Sequence, residues 1–396
     1  MKQVYLRFCV LQAAFWSFFA SLPGYITAYM LEQGMDAATL GVLLAVNMGL
    51  SFGGSLFWGR WVDRRQGHKK FFLLGVSSAL ALGVLLFLFA GNTLVLFVLY
   101  PLFGFMMGPI ATTLDSWVIA VMGRVEAGAK SRTFGTLGFA VTMLLSGQLI
   151  SRFGYGVMPF LAAAFLAVAI LAALAQPEAR SLSAGQPENV TALKADPRQL
   201  LHARSYLLLV AVVFFTGMAI APINNMKVLV FEGVGGDVSF LGWDSFIGCL
   251  IQAPFLIFSG KLRRIPAALR LTVGAGCALG YAFLVMIARN PGMVMAGTVM
   301  TNISFGLLFP TMREITEASV PAALRTTAHS IIDVAYGSVA GMIASAWGGV
   351  VMSGAGAVTM SAICMALEAV ALVFCGVLVL LVHKRTVRPA VSCKAA

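Results

Sequence analysis

The sequence predicts an all-α membrane protein whose twelve transmembrane helices form two pseudo-symmetric six-helix halves. Three observations carry this prediction: apolar blocks recur at bilayer-crossing length, Lys and Arg cluster in alternate gaps between them, and one polar stretch divides the blocks into two sets of six. The 396 residues are 60% hydrophobic and 11% charged, with a mean hydropathy of +0.91. A soluble globule of this size could not cover itself with so little polar surface.

The apolar blocks set the number of predicted helices. Crossing ~30 Å of hydrocarbon takes ~20 residues of helix, and backbone groups in lipid must bond within their own segment, which favours helices. Blocks of sufficient length lie at 4–31, 39–60, 71–90, 94–122, 131–152, 155–175, 205–231, 238–260, 267–288, 292–319, 326–351 and 358–382.

The positive charges predict the orientation. Of the 27 Lys and Arg residues, all but Arg152, Lys227, Arg289 and Arg313 lie in or beside alternate gaps. Cytoplasmic loops are the ones that carry such an excess, so we expect a multi-pass protein of a bacterial inner membrane with both termini in the cytoplasm. The net charge of +12 then reflects topology, and no nucleic-acid partner is expected.

The polar stretch at 176–204, with three prolines among charged residues, predicts a cytoplasmic linker. It separates an N-terminal six-helix bundle, 1–175, from a C-terminal bundle, 205–396, that ends in a short cytoplasmic tail. The run SRTFGTLGFA from Ser131 is echoed by LRTTAHSIID from Leu324, which suggests a duplication. Two halves with the same orientation predict a binding site where they meet, near the midplane.

A charged motif, GRWVDRRQGHKK from Gly59 to Lys70, joins the second and third predicted helices. It resembles the loop signature of the major facilitator superfamily, with one additional residue before its second glycine. The resemblance implies the fold of that superfamily, with a cytoplasmic gate. Asp63 can cap a helix end or pair with a cation, and the basic residues favour an anionic membrane surface. The gating candidates in this motif are Gly59, Asp63, Arg64, Gly67 and Lys69.

A second motif pairs Asp115, late in helix four, with Arg132 at the start of helix five. It resembles the lactose permease and phenylpropionate permease group of proton symporters. That resemblance implies that Asp115 and Arg132 bind substrate and that Phe139 offers it an aromatic face. Helix ten lacks the His and Glu pair of lactose permease, so the resemblance leaves the solute open.

Ionisable side chains inside the predicted helices need partners. An ionised group facing mid-bilayer costs ~3 kcal/mol, so the full set would cost roughly 20 kcal/mol, more than the stability of about 5–15 kcal/mol of a typical protein. These groups must therefore pair, line water or be protonated. They are Asp115, Lys227, Asp244, Arg313, Glu314, Glu317, Asp333 and Glu368.

Helical spacing suggests partners for them. Arg313 and Glu317 lie one turn apart on helix ten, on the same face as Asn302, and they predict either a polar stripe that faces a cavity or an intrahelical ion pair. His329 and Asp333 are one turn apart on helix eleven and are expected to hydrogen-bond.

The outer half of helix seven carries Asn224, Asn225 and Lys227, at a depth similar to that of Asp244 on helix eight. We expect a Lys227–Asp244 pair that serves as an outer gate or as part of the site. The alternative is that Lys227 extends to the membrane surface.

The predicted function is secondary active transport, namely proton-coupled uptake of a small polar or anionic organic solute by a monomer in the lipid bilayer. Proton-driven efflux of amphipathic compounds, or a non-transporting assembly factor or sensor on a carrier scaffold, stay open as alternatives. No catalytic motif and no His/Cys metal spacing occurs, so no enzyme, cofactor or metal is predicted. The candidates for substrate binding are Asp115, Arg132, Phe139, Asn224, Asn225, Lys227, Asn302, Arg313 and Trp16, and those for proton coupling are Asp115, Glu314, Asp333 and His329.

Overall fold

The computed structural model describes residues 2–65, 67–179 and 197–387, and no β-strand occurs among them. Within its helices, the side chains of 63, 65, 125, 129, 256, 259, 260, 326 and 382–387 lie outside the description. The helices are α1 Lys2–Ser21, α2 Pro23–Glu32, α3 Ala37–Arg65, α4 His68–Leu88, α5 Thr93–Met107, α6 Ile110–Met122, α7 Val125–Phe153, α8 Met158–Leu174, α9 Arg204–Asn225, α10 Lys227–Gly233, α11 Ser239–Ile257, α12 Ser259–Leu262, α13 Ala267–Met286, α14 Pro291–Ser319, α15 Arg325–Asp333 and α16 Ala340–Val387.

Ten helical stretches in the described chain are long and apolar enough to cross a membrane. The last, Thr327–Leu381, reverses at Gly356, where φ is 77° and ψ is 179°, so it makes two crossings. Glycine suits this left-handed position because it has no Cβ to clash. Helix α11, which lies between α10 and α13 in the chain, is the remaining helix of the predicted twelve. The predicted fold class, twelve helices in an all-α membrane protein, is confirmed.

The sequence prediction was wrong about the junction of helices two and three. Helix α3 continues to Arg65 and α4 starts at His68, so the motif expected to be a loop from Gly59 is mostly helical. Most of the predicted linker, 180–196, lies outside the described residues. Its start is held against the N-terminal half, where the Lys69 ammonium donates to the carbonyls of Leu174 and Gln176, each at 2.8 Å.

Several crossings are interrupted. Helix α1 gives way to α2 at Pro23, α5 to α6 at Gly108–Pro109, and α9 to α10 at Met226. Between α15 and α16, residues Val334–Val339 form a π-helical turn. Non-helical backbone at membrane depth is tolerated where protein or water satisfies the released groups, so these positions indicate the interior rather than the lipid surface.

The helices pack as two bundles. In the first half, α1 packs on α7 and α8, and α5 packs on α3 and α4. In the second half, α16 packs on α9 and α13, and α14 packs on α13 and α11. The most extensive contacts between the halves are those of α3 with α16 and of α7 with α11.

The halves are closed against each other at the face opposite the chain termini. There Gly41 of α3 and Gly349 of α16 bring their backbones into contact because neither has a side chain. Nearby, the Ser151 hydroxyl of α7 donates to the Asp237 carboxylate of the second half. Although burial alone raises the pKa of Asp237, hydrogen bonds from Ser151 and Ser239 lower it on balance, so the carboxylate stays charged and the contact persists in mild acid.

The same helices separate toward the face that carries the termini. Gly53 and Gly59, further along α3, have open space beside them, as does Gly337 in the π-helical turn. The described conformation is therefore sealed on one face and open on the other.

The glycine contact predicts a way to open the sealed face. In Gly349→Ala, the new methyl group would overlap the backbone of α3 at Ala37 and Gly41, so the seal should loosen. In a cysteine-free background carrying Ser345→Cys, an impermeant thiol reagent applied from that face should label the variant several-fold faster. Gly354→Ala, on the same helix but beside open space, is the matched control. Equal labelling in both variants would refute the role of the contact.

Candidate functional site

A cavity of about 430 Å³ lies between the two halves. A volume in this range suits a small organic molecule. The second half contributes most of its wall, and the first half contributes three residues. The lining residues are Gly24, Phe139, Met143, Ile220, Asn224, Lys227, Leu241, Asp244, Ser245, Gly248, Cys249, Gln252, Thr301, Asn302, Phe305 and Tyr336.

Helix α11 lines the cavity through one face. Asp244, Gly248 and Gln252 recur every four residues, which brings them to the same side of the helix. A methyl group at Gly248 would meet the side chain of Asn302 on α14, so the glycine allows that amide to approach. Thr301, Asn302 and Phe305 of α14 line the same space.

The predicted Lys227–Asp244 pair is present. The Lys227 ammonium lies 2.8 Å from a carboxylate oxygen of Asp244, and both side chains are buried. The Thr298 hydroxyl donates to the other carboxylate oxygen, and the ammonium lies 5.4 Å from the ring centroid of Tyr281. The alternative in which Lys227 extends to the membrane surface is wrong, since this network holds it in the wall of the cavity.

The two asparagines of helix seven separate. Asn224 lines the cavity and accepts a hydrogen bond of 2.8 Å from the Tyr281 hydroxyl. Asn225 instead donates to the Ser345 hydroxyl at 2.7 Å and ties α9 to α16. Of the pair, only Asn224 is brought to the cavity.

A second network lies in the first half. Arg132 forms an ion pair with Asp115, whose other carboxylate oxygen accepts from the buried Gln12 amide at 2.8 Å. The Trp16 indole N–H donates to the side-chain amide oxygen of Gln12 at 3.1 Å. The Arg132 guanidinium lies 4.7 Å from the Trp16 ring centroid. The ring of Phe139, two turns beyond Arg132 on α7, lies 6.4 Å from that of Trp16 and reaches the cavity.

Sequence reasoning missed Gln12, although a signal was present. It is a polar residue inside an apolar block, one turn before Trp16, and so shares a helix face with it. It is neutral, so a search for charges passed over it. The same holds for Gln252 and Thr298.

Toward the open face, the expected partners are exchanged. Arg313 contacts both carboxylate oxygens of Asp333, at 2.6 and 2.7 Å. Glu317 pairs with His329 and with Arg325, each at 2.9 Å. The alternative of an intrahelical Arg313–Glu317 pair and the expected His329–Asp333 hydrogen bond are both wrong, because the neighbouring helix supplies a closer partner in each case.

Glu314 lies away from this group. Its carboxylate is 2.6 Å from the buried Arg270 guanidinium and 3.8 Å from that of Arg263. Its position ~100° around the helix from Arg313 accounts for the different partners. A coupling role for Glu314 therefore has no support from its contacts.

The gating candidates of the Gly59 motif lie at the open face. Arg64 is exposed near the end of α3, Gly67 immediately precedes α4, and Lys69 holds the start of the linker. The side chain of Asp63 lies outside the described residues. A gating role for this motif stays a prediction.

The arrangement favours recognition of uncharged ligands. Lys227, in the cavity wall, and Arg132, on the helix that supplies the lining residue Phe139, are each neutralised by a carboxylate from the same half. The other polar groups in the wall are amides and hydroxyls, and Phe139 and Phe305 offer apolar ring surface. Such a wall can hydrogen-bond and stack against a neutral polar molecule.

The relatives found by comparison with known proteins are a permease and a transporter. A sequence profile of the family described as the MFS_1 like family matches residues 5–363. Maltose permease of Geobacillus stearothermophilus is 26% identical over 80% of this chain and 79% of its own length. The uncharacterized transporter YwbF of Bacillus subtilis (strain 168) is 22% identical over 75% of this chain and 73% of its own.

Solved structures agree in fold. The nucleoside transporter NupG superposes with a TM-score of 0.76 at 16% identity, over 95% of this chain and 98% of its own. A D-xylose-proton symporter superposes with a TM-score of 0.66 at 15% identity, over 94% of this chain and 95% of its own. At such identities the likeness shows the fold alone.

The buried ion pair predicts a non-additive stability pattern. Lys227→Met or Asp244→Asn alone should destabilise the purified protein, by about 3–5 kcal/mol for removal of one partner of a buried pair, because the other charge is left without its partner. The double variant should recover much of this loss. Apparent unfolding temperature is the measurement, and Lys261→Met, at an exposed cation, should shift it little. If the stability lost by the double variant equalled the sum of the losses of the two single variants, this account would be contradicted.

Proposed function

The chain belongs to the MFS_1 like family of the major facilitator superfamily, and from this premise we propose that it takes up a small neutral polar solute together with protons. Its general class is secondary transport through a multi-pass membrane fold. The observation that carries the proposal is the central cavity, which is closed on one face and whose neighbouring cations are already paired.

Pairing within each half argues for a neutral solute. An anionic solute would have to compete with Asp115 for Arg132, or with Asp244 for a buried Lys227. A polyhydroxylated solute can bind the amides and hydroxyls of the wall without bringing a further negative charge to either cation. Maltose permease among the relatives supports a sugar, and a nucleoside would satisfy the same groups.

The network around Asp115 suits proton coupling. Its side chain is 29% exposed, so water from the open face reaches it. A solute that draws Arg132 away would leave the carboxylate without its cation, and an unpaired charge cannot be carried into a closed, water-poor site. Protonation removes that charge, so reorientation would require the solute and the proton together.

Asp333 and His329 are secondary candidates. Both lie near the open face, and each already has a partner across a helix contact. Opening and closing of that face would change these contacts. We therefore propose that Asp333 and His329 take part in closing the open face, and that Asp115 is the main proton-coupling group.

The charge distribution suggests how the described conformation is oriented in the membrane. If the face rich in Lys and Arg is cytoplasmic, the described conformation is open to the cytoplasm, and a proton gradient across the cell membrane would drive uptake. Proton-driven efflux is the competing function. Flux measured in right-side-out and inverted vesicles distinguishes the two directions.

The coupling assignment predicts the behaviour of Asp115→Asn. In proteoliposomes with an inward proton gradient, accumulation of the solute should fall at least ~10-fold, a loss equivalent to ~1.4 kcal/mol of coupling free energy. Glu126→Gln, at an exposed carboxylate in the first turn of α7, is the matched control and should accumulate normally. Full uphill uptake by Asp115→Asn with a proton still moved per solute would exclude Asp115.

The solute assignment predicts which ligands stabilise the protein. A thermal-shift screen should show stabilisation by a neutral sugar or nucleoside, approaching ~2.7 kcal/mol at about 100 times its dissociation constant. Aromatic acids should give none. Asn302→Ala should weaken the shift, because this amide reaches the cavity wall. Stabilisation by carboxylates alone would contradict the proposal.

A further inference from the structure

Glu368 is a buried acid that the proposed cycle does not yet use. It lies on the second arm of α16, twelve residues after the reversal at Gly356, or ~18 Å along the helix. Its side chain is 0% exposed. The carboxyl group is therefore near the middle of the membrane, inside the second half.

The partners of Glu368 are neutral. The Thr216 hydroxyl of α9 donates to Oε1 at 3.0 Å, and Oε2 has no hydrogen-bond partner within the described residues. The titratable groups nearest to it are Tyr336, in the π-helical turn, and Cys364 and Cys375, on its own arm of α16. No ion pair involving Glu368 is found in the described part of the chain.

An ionised carboxylate would be costly at this position. Moving an unpaired carboxylate out of water costs several kcal/mol even after the protein relaxes, and one hydrogen bond from a hydroxyl offsets only part of that. A protonated carboxyl group avoids the cost. Glu368 therefore carries a proton in this conformation, and Oε2 is the oxygen free to hold it.

The buried acid is close to the cavity. Tyr336 lies in the π-helical turn Val334–Val339 and lines the cavity wall. Gly217, next to Thr216, lies against the Tyr336 backbone. Further along α9, Ile220 and Asn224 also line the cavity. The Thr216 hydroxyl that binds the carboxyl group is thus one residue away from a backbone contact with Tyr336, which lines the cavity.

The surrounding helices also form the seal between the halves. The first arm of α16 carries Gly349, which contacts α3 at the closed face. This arm continues directly from the π-helical turn that holds Tyr336. A movement that separates α16 from α3 would therefore act on the turn that carries Tyr336, a neighbour of Glu368. A π-helical turn can lose its extra residue per turn by returning to α-helical geometry, which would re-aim Tyr336.

We propose that Glu368 is a second proton-binding group of the transport cycle, covered in this conformation and exposed to the cavity when the π-helical turn rearranges. This inference rests on the proposed proton-coupled function. When exposed, Oε2 transfers its proton to a cavity water, which becomes hydronium, and the carboxylate that remains keeps its hydrogen bond from Thr216. The reverse transfer from water restores the neutral acid before the site closes.

Transport assays test the role. In proteoliposomes, Glu368→Gln should retain solute exchange in the absence of a gradient, whereas the number of protons moved per solute should fall by one. Glu368→Asp retains an acid and should restore the wild-type ratio at least in part. If Glu368→Gln moved as many protons per solute as the wild type, and low pH stimulated its transport equally, Glu368 would have only a structural role. That result would overturn the proposal.

Infrared spectroscopy tests the proton without requiring transport. The wild-type protein at neutral pH should show a protonated carboxylic acid C=O band that Glu368→Gln lacks. Thr216→Val should shift that band, because the hydroxyl no longer donates to the carbonyl oxygen. Thr359→Val, at an exposed hydroxyl on the same arm, should not. A wild-type spectrum whose acid bands are all insensitive to Thr216→Val would overturn the proposal even if Glu368→Gln fails to fold.

The two hypotheses fail in different ways. A wild-type protein that moves solute without protons would remove the proposed coupling altogether. If the wild type couples transport to protons and Glu368→Gln does so equally well, Asp115 stays the coupling group. Only the proposed role of Glu368 would then be excluded.

Discussion

The membrane does not tolerate an uncompensated charge, and this constraint organises the interior of the protein. The Asp115–Arg132, Lys227–Asp244 and Arg313–Asp333 pairs each join residues of the same half. Each half can therefore move as a unit without separating a charged pair. The contacts at the closed face include glycine backbones and a hydrogen bond from Ser151 to Asp237.

Pairing within the halves also shapes the cavity. Because Arg132 and Lys227 are neutralised by their own half, the space between the halves presents amides, hydroxyls and aromatic rings. The same pairing makes each carboxylate sensitive to whatever competes for its cation. In the proposed proton-coupled cycle, recognition of the solute and control of the proton would thus use the same side chains.

The sequence predicted the fold, because bilayer thickness and the distribution of Lys and Arg constrain it strongly. It also predicted the pairs Asp115–Arg132 and Lys227–Asp244, because each of these charges had few other possible partners at a similar depth. It failed at Arg313 and His329, because spacing along one helix identifies residues on a common face but not the neighbour that a second helix supplies. The breaks at Met226 and Val334–Val339 depend on tertiary packing and left no clear signal in the sequence.

The glycine contact between α3 and α16 has an energetic consequence. Groups without rotatable side chains lose no rotamer entropy when they come together, whereas an interlocked gate of long side chains would lose up to ~2 kcal/mol per residue at each closure. Sealing through Gly41 and Gly349 thus keeps the occluding step nearly neutral in entropy. In the proposed transport cycle, modest binding energies at the centre of the molecule would then be sufficient to decide which compartment the carrier faces.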